Sequence, residues 1–115
     1  MDVRKMQKLA VAALEDIKAR DVEVFNVTRL TSLFDRVIIA TADSTRQVKA
    51  LARSVQDRLR EAGVAAVGVE GEESGEWVLV DLGAIVVHIM QPAVRSYYNL
   101  EELWSSAAQK PRRAA

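Results

Sequence analysis

Residues 68–104 read GVEGEESGEWVLVDLGAIVVHIMQPAVRSYYNLEELW. Two runs rich in β-branched residues, Trp77 to Leu82 and Ile85 to Met90, flank a tight Leu82-Gly83-Ala84 link. A link that short joins antiparallel neighbours, so the pair predicts a hairpin. With a side-chain period of two, Val78, Val80 and Leu82 take the core face while Trp77, Leu79 and Asp81 point the other way. In the second run Val86, His88 and Met90 alternate with Ile85, Val87 and Ile89, and ordinary hairpin register puts His88 on the face of Trp77 and Asp81. Before the hairpin lies an acidic, glycine-punctuated loop, and after it a Tyr97-Tyr98-Asn99 corner. Glu70, Trp77, Asp81, His88, Gln91, Tyr97 and Tyr98 stand where a plain core segment carries aliphatic groups, which points to a recognition surface.

Upstream, Ala66 to Val69 reads as a further strand, and Val22 to Val27 and Val37 to Thr41 as two more, separated by a turn containing Thr and Ser. The run VIIAT is almost wholly apolar, as expected of a strand covered on both faces. Ser44 and Gln47 have capping-box spacing, and Val48, Leu51, Ala52, Val55, Leu59 and Ala62 continue a helical stripe that Gly63 ends in the left-handed region. Strands flanking such a helix run parallel when they share a sheet, so with the hairpin the sheet is mixed. Met6, Leu9, Ala10, Ala13, Leu14 and Ile17 place an amphipathic helix over about residues 2–19. Pro92 opens a short helix, and Asn99 with Glu102 caps another carrying Leu103 and Trp104. The expected organisation is one α/β domain over residues 1–104, a mixed sheet flanked by helices, followed by a flexible basic tail over 105–115.

The full chain of 115 residues has room for one such core, and its 16 Lys and Arg balance 16 Asp and Glu. A neutral chain lacks the overall field on which nonspecific nucleic-acid affinity depends, so a protein partner or a local patch is expected instead. With no cysteine and a single histidine, thiolate and multi-histidine metal sites are excluded. The opening MDVRKMQKLAVAALEDIKARD has charges among its apolar positions, unlike a secretory signal, and no apolar stretch reaches the roughly 20 residues that span a bilayer. With the first helix expected almost from Met1, the expectation is a cytoplasmic protein of bacterial type and no membrane partner.

Trp77, Asp81 and His88 would put an aromatic, a carboxylate and an imidazole on one open sheet face. An Asp and a His make an acid–base pair only beside a nucleophile, a metal or a substrate cradle, and none is evident. The plain alternative is that Asp81 satisfies turn amides and His88 is a hydrogen-bonded sheet residue. Gly68, Gly71 and Gly75 match neither dinucleotide-binding nor phosphate-loop spacing, and Glu70, Glu72, Glu73 and Glu76 would repel phosphate. That loop is either a surface turn or an acidic rim that steers a basic protein surface. Tyr97 and Trp104 are expected in the core, whereas Trp77, at a strand entrance, is expected to remain partly exposed and to act as a binding hot spot with Tyr98 and His88 beside it.

This ordered series from Gly68 to Trp104 resembles the signature region of the Iojap/YbeB family, the ribosomal silencing factors known as RsfS. The segment DRVIIATADSTRQVKALA resembles the family's strand-to-helix block, so the resemblance runs from the first helix to Trp104. Ala42-Asp43 departs from it where relatives often carry glycine; a changed turn with little functional consequence is expected. The resemblance implies a nucleotidyltransferase-like fold without a working active site. It also implies a non-enzymatic factor, without cofactor, that binds the fourteenth protein of the large ribosomal subunit, blocks joining of the small subunit and represses translation. Such proteins can form a homodimer when free. Glu70, Trp77, Asp81, His88, Gln91 and Tyr98 are the residues expected to contact the partner. Two other classes stand against this: a phosphoryl-transfer enzyme using Asp81, which requires a carboxylate cluster and a phosphate turn, and an RNA-binding module using Arg46, Lys49, Arg53 and the tail, whose binding would fall steeply with salt.

Overall fold

Every side chain of the strand Ile85–Met90 is buried, and the rest of the fold is arranged to cover it. A computed structural model describes residues 1–105 of the chain. The order is α1 (Val3–Asp16), β1 (Arg20–Asn26), β2 (Arg36–Thr41), α2 (Thr45–Glu61), β3 (Gly68–Glu70), β4 (Trp77–Asp81), β5 (Ile85–Met90) and α3 (Pro92–Tyr98). One five-stranded sheet runs β1-β2-β5-β4-β3. β2 and β5 are parallel, and the other neighbours antiparallel, so the sheet is mixed as expected. The basic tail lies outside the described residues from 106 onward, while Ser105 still belongs to a helical stretch over 100–105.

Strand alternation divides the core in two. Ile38, Ala40, Val78, Val80, Ile85, Val87 and Ile89 face α1 and α2, which contribute Met6, Leu14, Leu51, Val55 and Leu59 to the larger core. The opposite face buries Val27, Val37, Ile39 and Met90, against which Phe34, Trp77, Val94, Leu100 and Trp104 pack. α1 is shorter than its apolar pattern suggests because Lys18 turns left-handed at φ 62 and the Ala19 amide closes back on the Leu14 carbonyl. α2 starts at the expected cap, the Gln47 amide donating to Ser44 Oγ at 3.1 Å, but the Gln47 side chain accepts from the Asp43 amide instead of the cap's own. Gly63 ends the helix at φ 91, as its position predicts. The turn at Ala42-Asp43 is pinned by Arg20, whose Nη2 lies 2.5 Å from the Asp43 carboxylate.

β1 begins earlier than the β-branched run, and its register slips between Arg20 and Glu23 where Asp21 has φ 49. This bulge is satisfied from across the fold. Arg95, 8% exposed on α3, donates from Nη1 to the Asp21 carbonyl and Thr41 Oγ1, both at 2.7 Å, from Nη2 to Glu23 at 2.9 Å, and from Nε to Glu101 at 2.8 Å. One guanidinium therefore ties α3 and the 100–105 helix to the edge of the sheet. Removing one partner of a buried charged network costs about 3–5 kcal/mol, because the remaining charges lose their compensation. Arg95→Ala is expected to lower the urea unfolding free energy by at least about 3 kcal/mol, with Arg95→Lys recovering only part, since an ammonium cannot reproduce the planar fork. A loss below about 1 kcal/mol would show that the network behaves like an ordinary surface pair.

Candidate functional site

β4 enters the sheet directly from the acidic loop, and its register sets Trp77 opposite Met90, Leu79 opposite His88 and Asp81 opposite Val86. Trp77, Leu79, Asp81 and His88 accordingly share the face away from α1 and α2, as strand periodicity predicts. The indole N–H of Trp77 donates to His88 Nδ1 at 3.0 Å. An imidazole nitrogen accepts only when it carries no proton, so this geometry assigns the proton of the neutral ring to Nε2. Burial pushes the imidazole pKa down from 6.5 to about 4, consistent with that neutral form.

Tyr98 extends the group outward. Its ring centroid lies 4.8 Å from that of Trp77, and Tyr97 meets Tyr98 edge-on at 5.0 Å. The row passes from buried His88 through half-buried Trp77 to Tyr98, 53% exposed, and Tyr97, 82% exposed. Expecting Tyr97 in the core was therefore incorrect: α3 turns Arg95 inward, leaving Tyr97 in solvent. Trp104 is half-buried, edge-on to Phe34 at 6.0 Å. Asn99 does not cap the next helix with a side-chain bond to its backbone; it closes α3 in the left-handed region, and its carboxamide donates to Glu102.

Beside the aromatic row, an open groove of about 610 Å³ has Leu79, Val86 and His88 along its lining, with Glu70 and Asp81 supplying carboxylates. Leu33 and Val67, 80% and 73% exposed, complete the same groove; neither stood out in the sequence. Asp81 accepts from the Gly83 amide at 2.8 Å, which is the turn-satisfying role weighed for it. Asp81 and His88 line one groove, but no hydrogen bond joins them, and Trp77 already occupies Nδ1, so the pair is not assembled as a proton relay. Among the described residues no three His, Asp or Glu side chains converge as a metal site. Gln91 stands apart from the row, its amide spent on Gly75 and Thr45. Glu72, Glu73 and Glu76 are exposed and form no ion pair among the described residues.

A family model described as ribosomal silencing factor during starvation, RsfS, matches residues 1–114. The chain belongs to that family. It is 60% identical over 111 residues to a ribosomal silencing factor RsfS of Chromobacterium violaceum, covering 96% of this chain and 89% of the relative. A crystal structure of a protein from Chromobacterium violaceum superposes with a TM-score of 0.90 at 61% identity, over 91% of this chain and 88% of that one. More distantly, it is 31% identical over 100 residues to the mouse protein named mitochondrial assembly of ribosomal large subunit protein 1, covering 84% of this chain and 44% of the mouse protein. Among the described residues no helix is long and apolar enough to cross a membrane.

The Trp77–His88 pair has a measurable electrostatic signature. His88 takes up a proton near 6.5 when unfolded and only near 4 when folded. Stability present above the unfolded value is therefore lost as pH falls through that interval, where the unfolded chain binds more protons. Urea unfolding should show about 2 kcal/mol less stability at about pH 5 than at about pH 7 from this group, and His88→Gln should flatten the slope by that amount. Equal slopes in the two proteins would mean that His88 is not held neutral by the fold.

Proposed function

We propose that this protein is a cytoplasmic translation repressor that docks the Trp77–Tyr98 face of its sheet on the fourteenth protein of the large ribosomal subunit and thereby obstructs joining of the small subunit. The observation that carries this reading is the aromatic row, which rises from a buried anchor to two exposed tyrosines on a sheet face that α1 and α2 leave uncovered. Aromatic side chains bring large contact area at low entropic cost and dominate binding hot spots. Membership of a ribosomal silencing family supports the ribosome as target, and the mouse relative's name supports the large subunit in particular.

Charge fits the same partner. The groove beside the row carries Glu70 and Asp81, and the loop above it Glu72, Glu73 and Glu76, an acidic border suited to a basic ribosomal protein. Silencing then works by occupancy and not by catalysis. Asp81 is held by its turn, His88 is buried and neutral, and both serve to shape the docking surface. When the protein is free, a second copy covering this face would conceal the exposed tyrosines.

Purified protein is expected to cosediment with isolated large subunits and, at saturation, to prevent their joining with small subunits. Tyr98→Ala should weaken that binding by about 2 kcal/mol, since the ring is half in solvent and contributes little to the fold. Sedimentation only with small subunits, or undiminished joining at saturation, would refute the silencing mechanism. A folded Tyr98→Ala protein that binds normally would remove the aromatic row from the interface.

A further inference from the structure

Gln91 occupies the N-cap position of α3, yet its side chain does not cap that helix. Its Nε2 instead donates to the Gly75 carbonyl at 3.0 Å and to Thr45 Oγ1 at 3.2 Å, while its backbone amide donates to the Glu76 carbonyl at 3.0 Å. Three separate parts of the chain thus meet at one residue: the end of β5, the first turn of α2 and the acidic loop. Glu76 immediately precedes Trp77, so the bond to its carbonyl fixes the entry of the aromatic anchor into β4.

The loop is built to accept this hold. Gly75 is buried at φ 69, and a Cβ there would collide with Thr45 Cγ2 and crowd Lys49 Cε at 3.2 Å. Gly71 has φ 88, and a Cβ on it would collide with the Trp77 carbonyl oxygen. Inside the loop, the Gly75 amide donates to the Gly71 carbonyl at 3.2 Å and the Glu76 amide to Ser74 Oγ at 3.3 Å. Both glycines adopt a left-handed backbone that strains any side chain, and an added Cβ would meet backbone at Gly71 and the Thr45 side chain at Gly75. A surface turn that only had to connect β3 to β4 would need neither close approach.

We infer that Gln91 is a positioning residue for ribosome docking, a latch that clamps the acidic loop to α2 and so presents the loop carboxylates and Trp77 in one fixed arrangement. The inference rests on the docking reading above. Holding the binding conformation in the free protein removes an ordering cost from association, so the latch acts on affinity without touching the partner. Its two side-chain bonds are lost in Gln91→Ala. In Gly75→Ala the amide of Gln91 remains, but the loop cannot close against Thr45.

Hydrogen exchange of the free proteins and binding to purified large subunits, measured together, test this. Both variants should speed exchange at the amides of Gly75 and Glu76 by about tenfold or more, leave β2 and β5 amides unchanged, and weaken binding by about tenfold. Weakened binding in Gln91→Ala with an unloosened loop, or with Gly75→Ala binding normally, would make Gln91 a direct contact and overturn the latch. Faster exchange throughout the sheet would reduce Gln91 to general stability and equally overturn it. If the unmodified protein binds and neither variant alters that binding, the latch alone fails; if the unmodified protein does not bind, the docking reading fails and this inference with it.

Discussion

β5 is hydrogen-bonded on both sides, to β2 and to β4, and buried along its whole length, so both faces of the sheet centre must be covered by something apolar. On one face α1 and α2 do this completely. On the other, α3, the 100–105 helix and the segment around Phe34 cover Met90 but stop short of Val86 and His88, which line an open groove. The functional surface follows from that unequal covering. A neutral imidazole whose Nδ1 accepts from an indole tolerates this half-dry position, because it carries no charge to desolvate.

What keeps the second layer in place is equally specific. A short α3 and a second short helix offer little apolar area, and Arg95 compensates by reaching the bulge of β1, the end of β2 and Glu101 at once. The same turn of α3 that points Arg95 inward points Tyr97 outward and leaves Tyr98 on Trp77. Stability of the layer and exposure of the aromatic row are thus two consequences of one helix orientation. On the other side of Trp77, Gln91 and the tight glycines hold the strand entrance.

Much of this was legible in the chain. The hairpin, the common direction of the strands flanking α2, the burial of VIIAT and the shared face of Trp77, Asp81 and His88 all follow from short-range pattern and connection, and each appears in the fold. The rest depends on pairs far apart in sequence. Arg95 meets Thr41 and Glu23 across most of the chain, and its only local signal is being the single charge in PAVRSYY. Tyr97 was misplaced for a related reason: in a helix of two turns, spacing identifies neighbours but not which side faces the core. Gln91 and Gly75 carried no local sign of their contact, which exists only because α2 begins and β5 ends at the same corner.

The central claim is that the aromatic side of the sheet, and not the helical layer, meets the ribosome. A photo-crosslinking phenylalanine analogue placed at Tyr97, and in a separate protein at Arg53 on the exposed side of α2, tests it with purified large subunits. The account predicts strong crosslinks to a large-subunit protein from position 97 and background levels from position 53. Efficient crosslinking from position 53 with none from position 97 would contradict it.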